Sequence, residues 1–316
     1  MKSIGIDVGG TKIAGVLLGE DDQVLAQDKV ATPAQSAQAI IEAIVAMVQG
    51  LQVGHEVAGV GVAIAGFIDA KQSTVMYAPN LNMRNVALKA ILEDKLGLKV
   101  FIENDANAAG WAEYRFGAGR GTQNMLMVTV GTGVGGAIIA DGQMFRGGFG
   151  VGAEIGHMNF IPEGKECGCG QKGCLEQYAS GTALLNAAKD LLRSNDAAAD
   201  GLRKICPDAE QLTGSDVYQA IQAGDLAVLG LLKELGFTLG KAIASLTALL
   251  DPELVVIGGG VSVLGNQLLD PIREAYLAHL PARGFRPELR IVAAELVNDA
   301  GAIGAADLAR GHLGSR

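Results

Sequence analysis

Apolar positions along the chain change period several times, and each change marks an element. Ser3-Ile-Gly-Ile-Asp-Val8 reads as a strand that meets the turn Gly9-Gly10-Thr11-Lys12, and residues 13–18 and 24–30 follow as two more strands. Over residues 37–49 the apolar side chains fall at helical spacing, and 57–64 is a continuous apolar run expected of a buried strand, ending at Ala65-Gly66. A helix over 86–96 comes next, then a short strand over 99–103 that delivers Asn104-Asp105 at its C-terminal end. Residues 124–130 form a strand that enters the glycine turn 131–136, followed by an apolar run over 137–140. The C-terminal half is mostly helical: 175–194, broken only at Ser180-Gly181; 216–223; and a long helix over 226–250 that stops before Asp251-Pro252. Residues 254–257 make a buried strand ending in Gly258-Gly259-Gly260, and 299–309 an alanine-rich last helix. The polar stretch 194–213 reads as an exposed, irregular connection.

Strands alternating with helices predict an α/β sheet with ligands gathered at the strand ends. Ile6-Asp7-Val8-Gly9-Gly10-Thr11 and Val128-Thr129-Val130-Gly131-Thr132-Gly133 share the order strand, glycine turn, strand. That weak internal similarity suggests two similar domains facing each other across a cleft. A length of 316 residues allows two cores, and with 49% hydrophobic but only 4% aromatic residues they are built from Ala, Val, Ile and Leu. The net charge of -9 offers no basic surface to nucleic acid or to an anionic membrane. Residues 239–250 are too short for a membrane span and carry Lys241, and no signal peptide precedes the first strand, so a cytoplasmic protein is expected.

Three of the 4 cysteines lie in Cys167-Gly-Cys169-Gly-Gln-Lys-Gly-Cys174, with His157 upstream. One imidazole and three thiolates match a tetrahedral Cys₃His zinc site, with Gly168, Gly170 and Gly173 turning the loop so that the sulfurs converge. A disulfide plus a spare thiol is the alternative, and so few cysteines without an export signal speak against it. Such an ion would fix a glycine-rich loop that has no apolar residues of its own. Glu154 and Glu176 bracket the loop. Two carboxylates beside a His whose second nitrogen is free could take hydrogen bonds from the hydroxyls of a sugar; a solvated acidic rim is the plainer reading.

Asp7-Val-Gly-Gly-Thr-Lys12 gathers backbone N–H groups, a hydroxyl and an ammonium around one turn, enough to cradle phosphate oxygens while Asp7 orients a magnesium-bound water. It lacks the longer loop into a helix of a P-loop, and a plain tight turn is the alternative. Gly131-Thr132-Gly133 offers a matching set of donors, and Gly258-Gly259-Gly260 could admit an adenosine ring or simply start a helix. Asp105, at a strand end, could take the proton of an attacking hydroxyl or serve as the N-cap of the helix that follows. Asn80 reads by itself as a turn residue.

Together Asp7-Val-Gly-Gly-Thr-Lys12, Glu103-Asn-Asp-Ala-Asn107, Gly131-Thr-Gly-Val-Gly-Gly136, Glu154-Ile-Gly-His157 and Cys167-Gly-Cys-Gly-Gln-Lys-Gly-Cys-Leu-Glu176 resemble the ROK family of repressors, open reading frames and kinases. Cys174-Leu-Glu-Gln-Tyr-Ala-Ser-Gly181 is similar to the bacterial glucokinases of that family. The resemblance covers nearly the whole chain. It implies a two-lobed, actin-like (ribonuclease H-like) ATPase fold with an interlobe cleft and a structural zinc loop. The expected parts are an N-terminal α/β lobe over 1–118, a larger lobe over 119–298, and a C-terminal helix over 299–316 that returns to the first lobe.

The same resemblance implies an enzyme that phosphorylates glucose at its 6-hydroxyl with ATP and Mg²⁺, usually as a homodimer and otherwise as a homotetramer. Carried over position by position, Asp105 looks like the catalytic base. Asn80, Asn104, Glu154, His157 and Glu176 look like sugar contacts, with Gly66 and Asp105 in the same pocket. Asp7, Gly9, Gly10, Thr11 and Lys12 match the first phosphate turn, Thr132 and Gly133 the second, and Gly259 and Gly260 the adenosine side. His157, Cys167, Cys169 and Cys174 match the zinc ligands. Ala65-Gly66 stands where many members have Pro-Gly, a less rigid loop. Other substrates remain open: mannose, fructose, N-acetylmannosamine or N-acetylglucosamine as acceptor, and polyphosphate as donor. A sugar sensor related to the family's repressors is disfavoured, because only six residues precede Asp7 and the charge is negative.

Overall fold

The computed structural model describes residues 1–33, 36–194, 196–296 and 299–314. The chain forms two compact units, one of Met1–Met127, Gly136–Ala153 and Ala294–Arg316, the other of Val128–Gly135 and Glu154–Ala293. The expected boundary at residue 298 and the last two residues of the expected C-terminal helix lie outside the described residues.

In the first unit, β1 (Ser3–Val8), β2 (Lys12–Leu18) and β3 (Val24–Ala31) form an antiparallel meander. α1 (Ala37–Gln52) begins at Ser36, whose hydroxyl accepts the amide of Ala39, and buries Ile40, Ile41, Ile44, Met47, Val48 and Leu51, one stripe of a 3.6-residue period. β4 (Gly59–Ile64) pairs in parallel with β1, and β8 (Lys99–Asn104) in parallel with β4. Between them, β5 (Phe67–Ile68), β6 (Val75–Ala78) and β7 (Met83–Val86) make a small antiparallel sheet of their own. α2 (Leu88–Leu96) then leads into β8 (Lys99–Asn104), and α3 (Asp105–Phe116) follows at once. The helix expected over 86–96 is thus a strand end plus a helix, because Val86 is taken by pairing with Val75.

The sheet order is β3-β2-β1-β4-β8. In register Val8 stands beside Ile64 and Ile64 beside Asn104, so the three parallel strands end level with one another. The turn at Gly9, the Ala65-Gly66 loop and Asp105 therefore leave the sheet from one edge, where ligands of open α/β sheets gather.

β9 (Met125–Val130) and β10 (Val134–Ala140) flank the second glycine turn. The turn is shorter than expected: Val134, Gly135 and Gly136 are already strand. β11 (Gln143–Phe145) pairs antiparallel with β10. Ser180 separates α4 (Glu176–Ala179) from α5 (Gly181–Arg193). The supposedly irregular connection holds α6 (Asp200–Ile205) and buries Ala199, Leu202 and Leu212. Apolar residues too sparse to show a period still anchor a short helix there.

α7 (Gly214–Gln222) and α8 (Leu226–Leu250) match the pattern closely. β12 (Leu254–Gly258), α9 (Asn266–His279) and β13 (Arg290–Ala293) complete the second unit, β12 and β13 being parallel. The second large sheet runs β11-β10-β9-β12-β13. α8 and α9 pack so closely that a Cβ on Gly240 would come within 2.3 Å of the Ile272 carbonyl oxygen.

The last helix, α10 (Ala300–Gly314), belongs to the first unit and lies against β1 and β4. A Cβ on Gly5 would meet the Ala302 carbonyl oxygen at 1.9 Å, so only a bare backbone admits the helix there. Among the described residues no helix is long and apolar enough to cross a membrane.

Candidate active site and metal centre

At the level edge of the first sheet, Gly9 donates its amide to the Lys12 carbonyl at 3.0 Å, and Thr32 Oγ1 donates to the Gly9 carbonyl at 2.6 Å. Gly10, Thr11 and Lys12 complete that turn. Asp7, which leads into it, has its carboxyl pushed up to about 7, first by burial and then by the charge of Asp105, with Lys12 opposing. The carboxyl of Asp105 is itself pushed up to about 6 by burial, against the amides of Ala106 and its own backbone, which favour the charged form.

Asn104, not Asp105, is the N-cap: its Oδ1 accepts the Asn107 amide at 3.0 Å. Asp105 is the first helical residue. Asn104 Nδ2 donates to the Gly66 carbonyl at 3.2 Å, tying the two sequence-predicted positions together. Asn80 is exposed in a 3₁₀ turn over Pro79–Leu81, its Cβ 3.5 Å from the place of a Cβ on Gly10.

In the second unit, Gly131 donates to the Gly133 carbonyl at 3.0 Å across the turn that carries Thr132. The Gly181 amide reaches back to the Gly131 carbonyl at 2.7 Å, so the turn is fastened to the start of α5. Gly259 takes φ +84°, and a Cβ there would lie 2.5 Å from the Val130 carbonyl oxygen; the position tolerates no side chain. Gly260, Val261 and Leu264 line a small apolar cavity of roughly 100 Å³ with Gly181, Leu184 and Tyr218.

The ligand atoms of His157, Cys167, Cys169 and Cys174 all lie within 4.8 Å of one another. A tetrahedral ion with bonds of about 2.3 Å to sulfur would space sulfurs about 3.8 Å apart. Cys169 and Cys174 Sγ are 3.6 Å apart, and Cys167 Sγ is 3.8 Å from His157 Nδ1. The residues present therefore fit such an ion, with Nδ1 on the side of Cys167 Sγ. Glu176 sits beside them, its Oε1 3.1 Å from Cys167 Sγ, and its Oε2 2.6 Å from the place of a Cβ on Gly133. Glu154 gives its carbonyl to the His157 amide at 3.0 Å.

The loop is less dependent on an ion than its composition suggested. Phe160 donates to the Gly173 carbonyl at 2.8 Å, Leu175 to the Met158 carbonyl at 3.0 Å, and the Lys165 amide to Tyr178 Oη at 2.7 Å. Cys167 and Cys174 are themselves buried.

Sequence reasoning passed over Gln72, Arg146 and Gly301, which touch the site in the first unit, and assigned no separate role to Glu103. The available signal was an acid in the apolar strand Val100-Phe-Ile-Glu103, where burial obliges a charged group to find partners.

The ROK family model matches residues 3–312. The chain is 43% identical to a glucokinase of Streptomyces coelicolor, over 98% of this chain and 97% of that one. It is 36% identical to an N-acetylmannosamine kinase of Escherichia coli strain SE11, over 99% of each. Among solved structures, a ROK family glucokinase from Streptomyces griseus, in complex with glucose and AMPPNP, superposes with a TM-score of 0.89 at 43% identity, covering 98% of this chain and 100% of that one. The chain belongs to the ROK family.

Proposed function

We propose that the protein is an ATP-dependent kinase that phosphorylates the 6-hydroxyl of glucose, with Asp105 as general base. The observation that carries this reading is the Asp105 carboxyl, half-buried at the first residue of α3 and pushed up to about 6, which suits a proton acceptor working near neutral pH. The similarity to glucokinases over almost the whole length supports the choice of sugar and donor.

Asp105 takes the hydroxyl proton as the sugar oxygen bonds to the γ-phosphorus and the bond to the bridging oxygen of ADP breaks. Gly66, Asn80, Asn104, Glu154, His157 and Glu176 take the remaining hydroxyls of the sugar. Gly9, Gly10, Thr11 and Lys12 serve one part of the triphosphate and Thr132 and Gly133 another. Gly259 and Gly260 serve the adenosine, for which the adjoining apolar cavity offers a surface.

Two ions complete the proposal. Magnesium, when bound, neutralises charge on the phosphate oxygens, and Asp7 would hold it through a water. Zinc would be held by His157, Cys167, Cys169 and Cys174, which fill all four positions and leave none for a substrate; its part is structural. His157 Nε2 then remains for the sugar. We also propose a homodimer working in the cytoplasm, with light scattering to test the assembly.

Glucose, mannose, fructose, N-acetylmannosamine and N-acetylglucosamine, each assayed with ATP and with polyphosphate, test the reading. The expected outcome is the highest kcat/KM for glucose with ATP. Preference for an N-acetylhexosamine would change the substrate and keep the kinase; no transfer from ATP to any sugar would overturn the proposal.

A further inference from the structure

We propose that Glu103 and Arg146 are positioning residues that set the geometry of Asn104 and Asp105 for proton abstraction; this rests on the reading of Asp105 as the base. The side chain of Glu103 is only 5% exposed, yet both oxygens are fully occupied. Oε1 accepts the Asn104 amide at 3.0 Å and Asn107 Nδ2 at 3.0 Å. Oε2 accepts Arg146 Nε at 2.6 Å and Gln72 Nε2 at 2.8 Å. Four donors thus reach one carboxylate from four places: the end of β8, the first turn of α3, the turn after β5 and the segment after β11.

Two of these bonds bracket Asp105. The Glu103 carboxylate folds back on the amide of the next residue, which fixes the peptide plane from which Asn104 departs. Asn104 caps Asn107, and Asn107 returns its side-chain amide to Glu103, closing a ring around residues 103–107. Asp105 lies within that ring, so the direction of its side chain is determined from both sides.

The two outer donors hold the ring in place. Gln72 sits at φ +52° in a turn that Asp69 fastens by accepting the amides of Ser73 at 2.7 Å and Thr74 at 2.9 Å. Arg146 accepts the Gly152 amide on its own carbonyl at 2.9 Å, so its segment folds back on itself and presents a pre-set guanidinium.

Stability alone is a poor account of this arrangement. A buried ion pair gains little over well-packed apolar side chains of the same volume. Asn107 Oδ1 is buried with no hydrogen-bond partner among the described residues, a cost that an apolar residue would remove. The amide earns its place through what Nδ2 does for Glu103. Geometry at a general base is worth that cost, since a misplacement of about 1 Å can lower turnover about 100-fold.

The test is steady-state kinetics with glucose and ATP on Arg146→Met, Arg146→Lys, Glu103→Gln and the Arg146→Met/Glu103→Gln double variant, beside wild type and Asp105→Asn. Arg146→Met and Glu103→Gln should each lose roughly 10- to 100-fold in kcat while KM for ATP stays within about twofold. Arg146→Lys, which keeps one donor, should recover part of the loss. The double variant should be no worse than the poorer single one, as for groups that act as a unit.

Glu103→Gln removes a buried charge and could fail to fold; Arg146, 23% exposed, keeps the question answerable. Folded Arg146→Met with wild-type kcat, or with losses in melting temperature alone, overturns the proposal. An active Asp105→Asn overturns the assignment of the base, and a wild type inert towards sugars overturns the kinase reading; the positioning role falls with either.

Discussion

The carboxylate of Asp7, on the first strand, reaches to within 2.7 Å of where a Cβ on Gly301, in the first turn of the last helix, would stand. Glycine inside a helix costs about 0.5–1 kcal/mol relative to alanine, so helix formation does not explain it. The space it leaves is occupied by an acid at the proposed phosphate turn. Chain ends far apart in sequence are in this way fitted to one functional group.

Gly301→Ala separates the two roles. The atoms a methyl group would strike are the end of a short side chain and not backbone, so Asp7 should move and the helix should stay. We expect stability to urea within about 1 kcal/mol of wild type, together with a loss of about tenfold or more in kcat/KM for ATP. Wild-type kinetics in this variant would show that the position of Asp7 is not needed.

Activity and stability should respond to pH in opposite directions at this site. Asp105 and Asp7 have carboxyls pushed up to about 6 and about 7, mainly by burial. A base works when ionised, so kcat/KM should fall as pH drops through 7 and 6. In folding, a raised carboxyl binds its proton more tightly in the native state. Its contribution to stability is therefore complete near pH 4 and is lost as pH rises through 6 and 7. Asp105→Asn removes one of the causes that raise Asp7, and the Asp7 titration, followed by carboxyl NMR, should move downward. A kcat/KM flat between pH 5 and 8 would contradict the assignment of Asp105.

How much could be read from sequence depends on how local the causes are. α1 and α8 announce themselves because their buried residues repeat within the element. The Cys–His group is legible because three ligands share one short loop. α9 escaped notice because Pro271 interrupts it, although Leu268, Leu269, Ile272, Ala275 and Tyr276 keep the helical period. Whether Asn104 or Asp105 caps α3 is a one-residue choice between two good capping residues, and only the hydrogen bond to Asn107 decides it. The network on Glu103 is beyond pattern altogether, since Gln72 and Arg146 arrive from distant segments with no spacing rule between them.

The metal centre leads to a prediction that separates ion from loop. Backbone bonds such as Phe160 to Gly173 hold the loop without an ion, whereas the imidazole of His157, 31% exposed and with Nδ1 3.8 Å from Glu176 Oε1, would be fixed much more firmly by an ion. Chelation, or Cys169→Ser, should therefore raise KM for the sugar by about tenfold or more, with smaller effects on melting temperature and on KM for ATP. Metal analysis by mass spectrometry must confirm that the ion is gone. A metal-free protein with unchanged KM for the sugar would refute the link between ion and sugar.

Glu113, fully buried, shows what the fold requires away from the chemistry. Its Oε1 accepts the Leu296 amide at 2.7 Å, and its Oε2 accepts those of Glu295 at 3.1 Å and Ala118 at 2.9 Å. One carboxylate thereby closes the loop after α3 and anchors the chain just ahead of α10. Glu113→Ala would strand three amides and should cost about 3 kcal/mol, because hydrogen bonds to a charged acceptor contribute more than neutral ones. Glu113→Gln keeps the volume but turns one oxygen into a donor that faces an N–H, so it should cost at least about 1 kcal/mol. Hydrogen exchange is the sharper measurement. The amides of Ala118, Glu295 and Leu296 should lose protection in both variants while those of β1 and β4 keep theirs, and unchanged protection at Leu296 would remove Glu113 from the anchoring role.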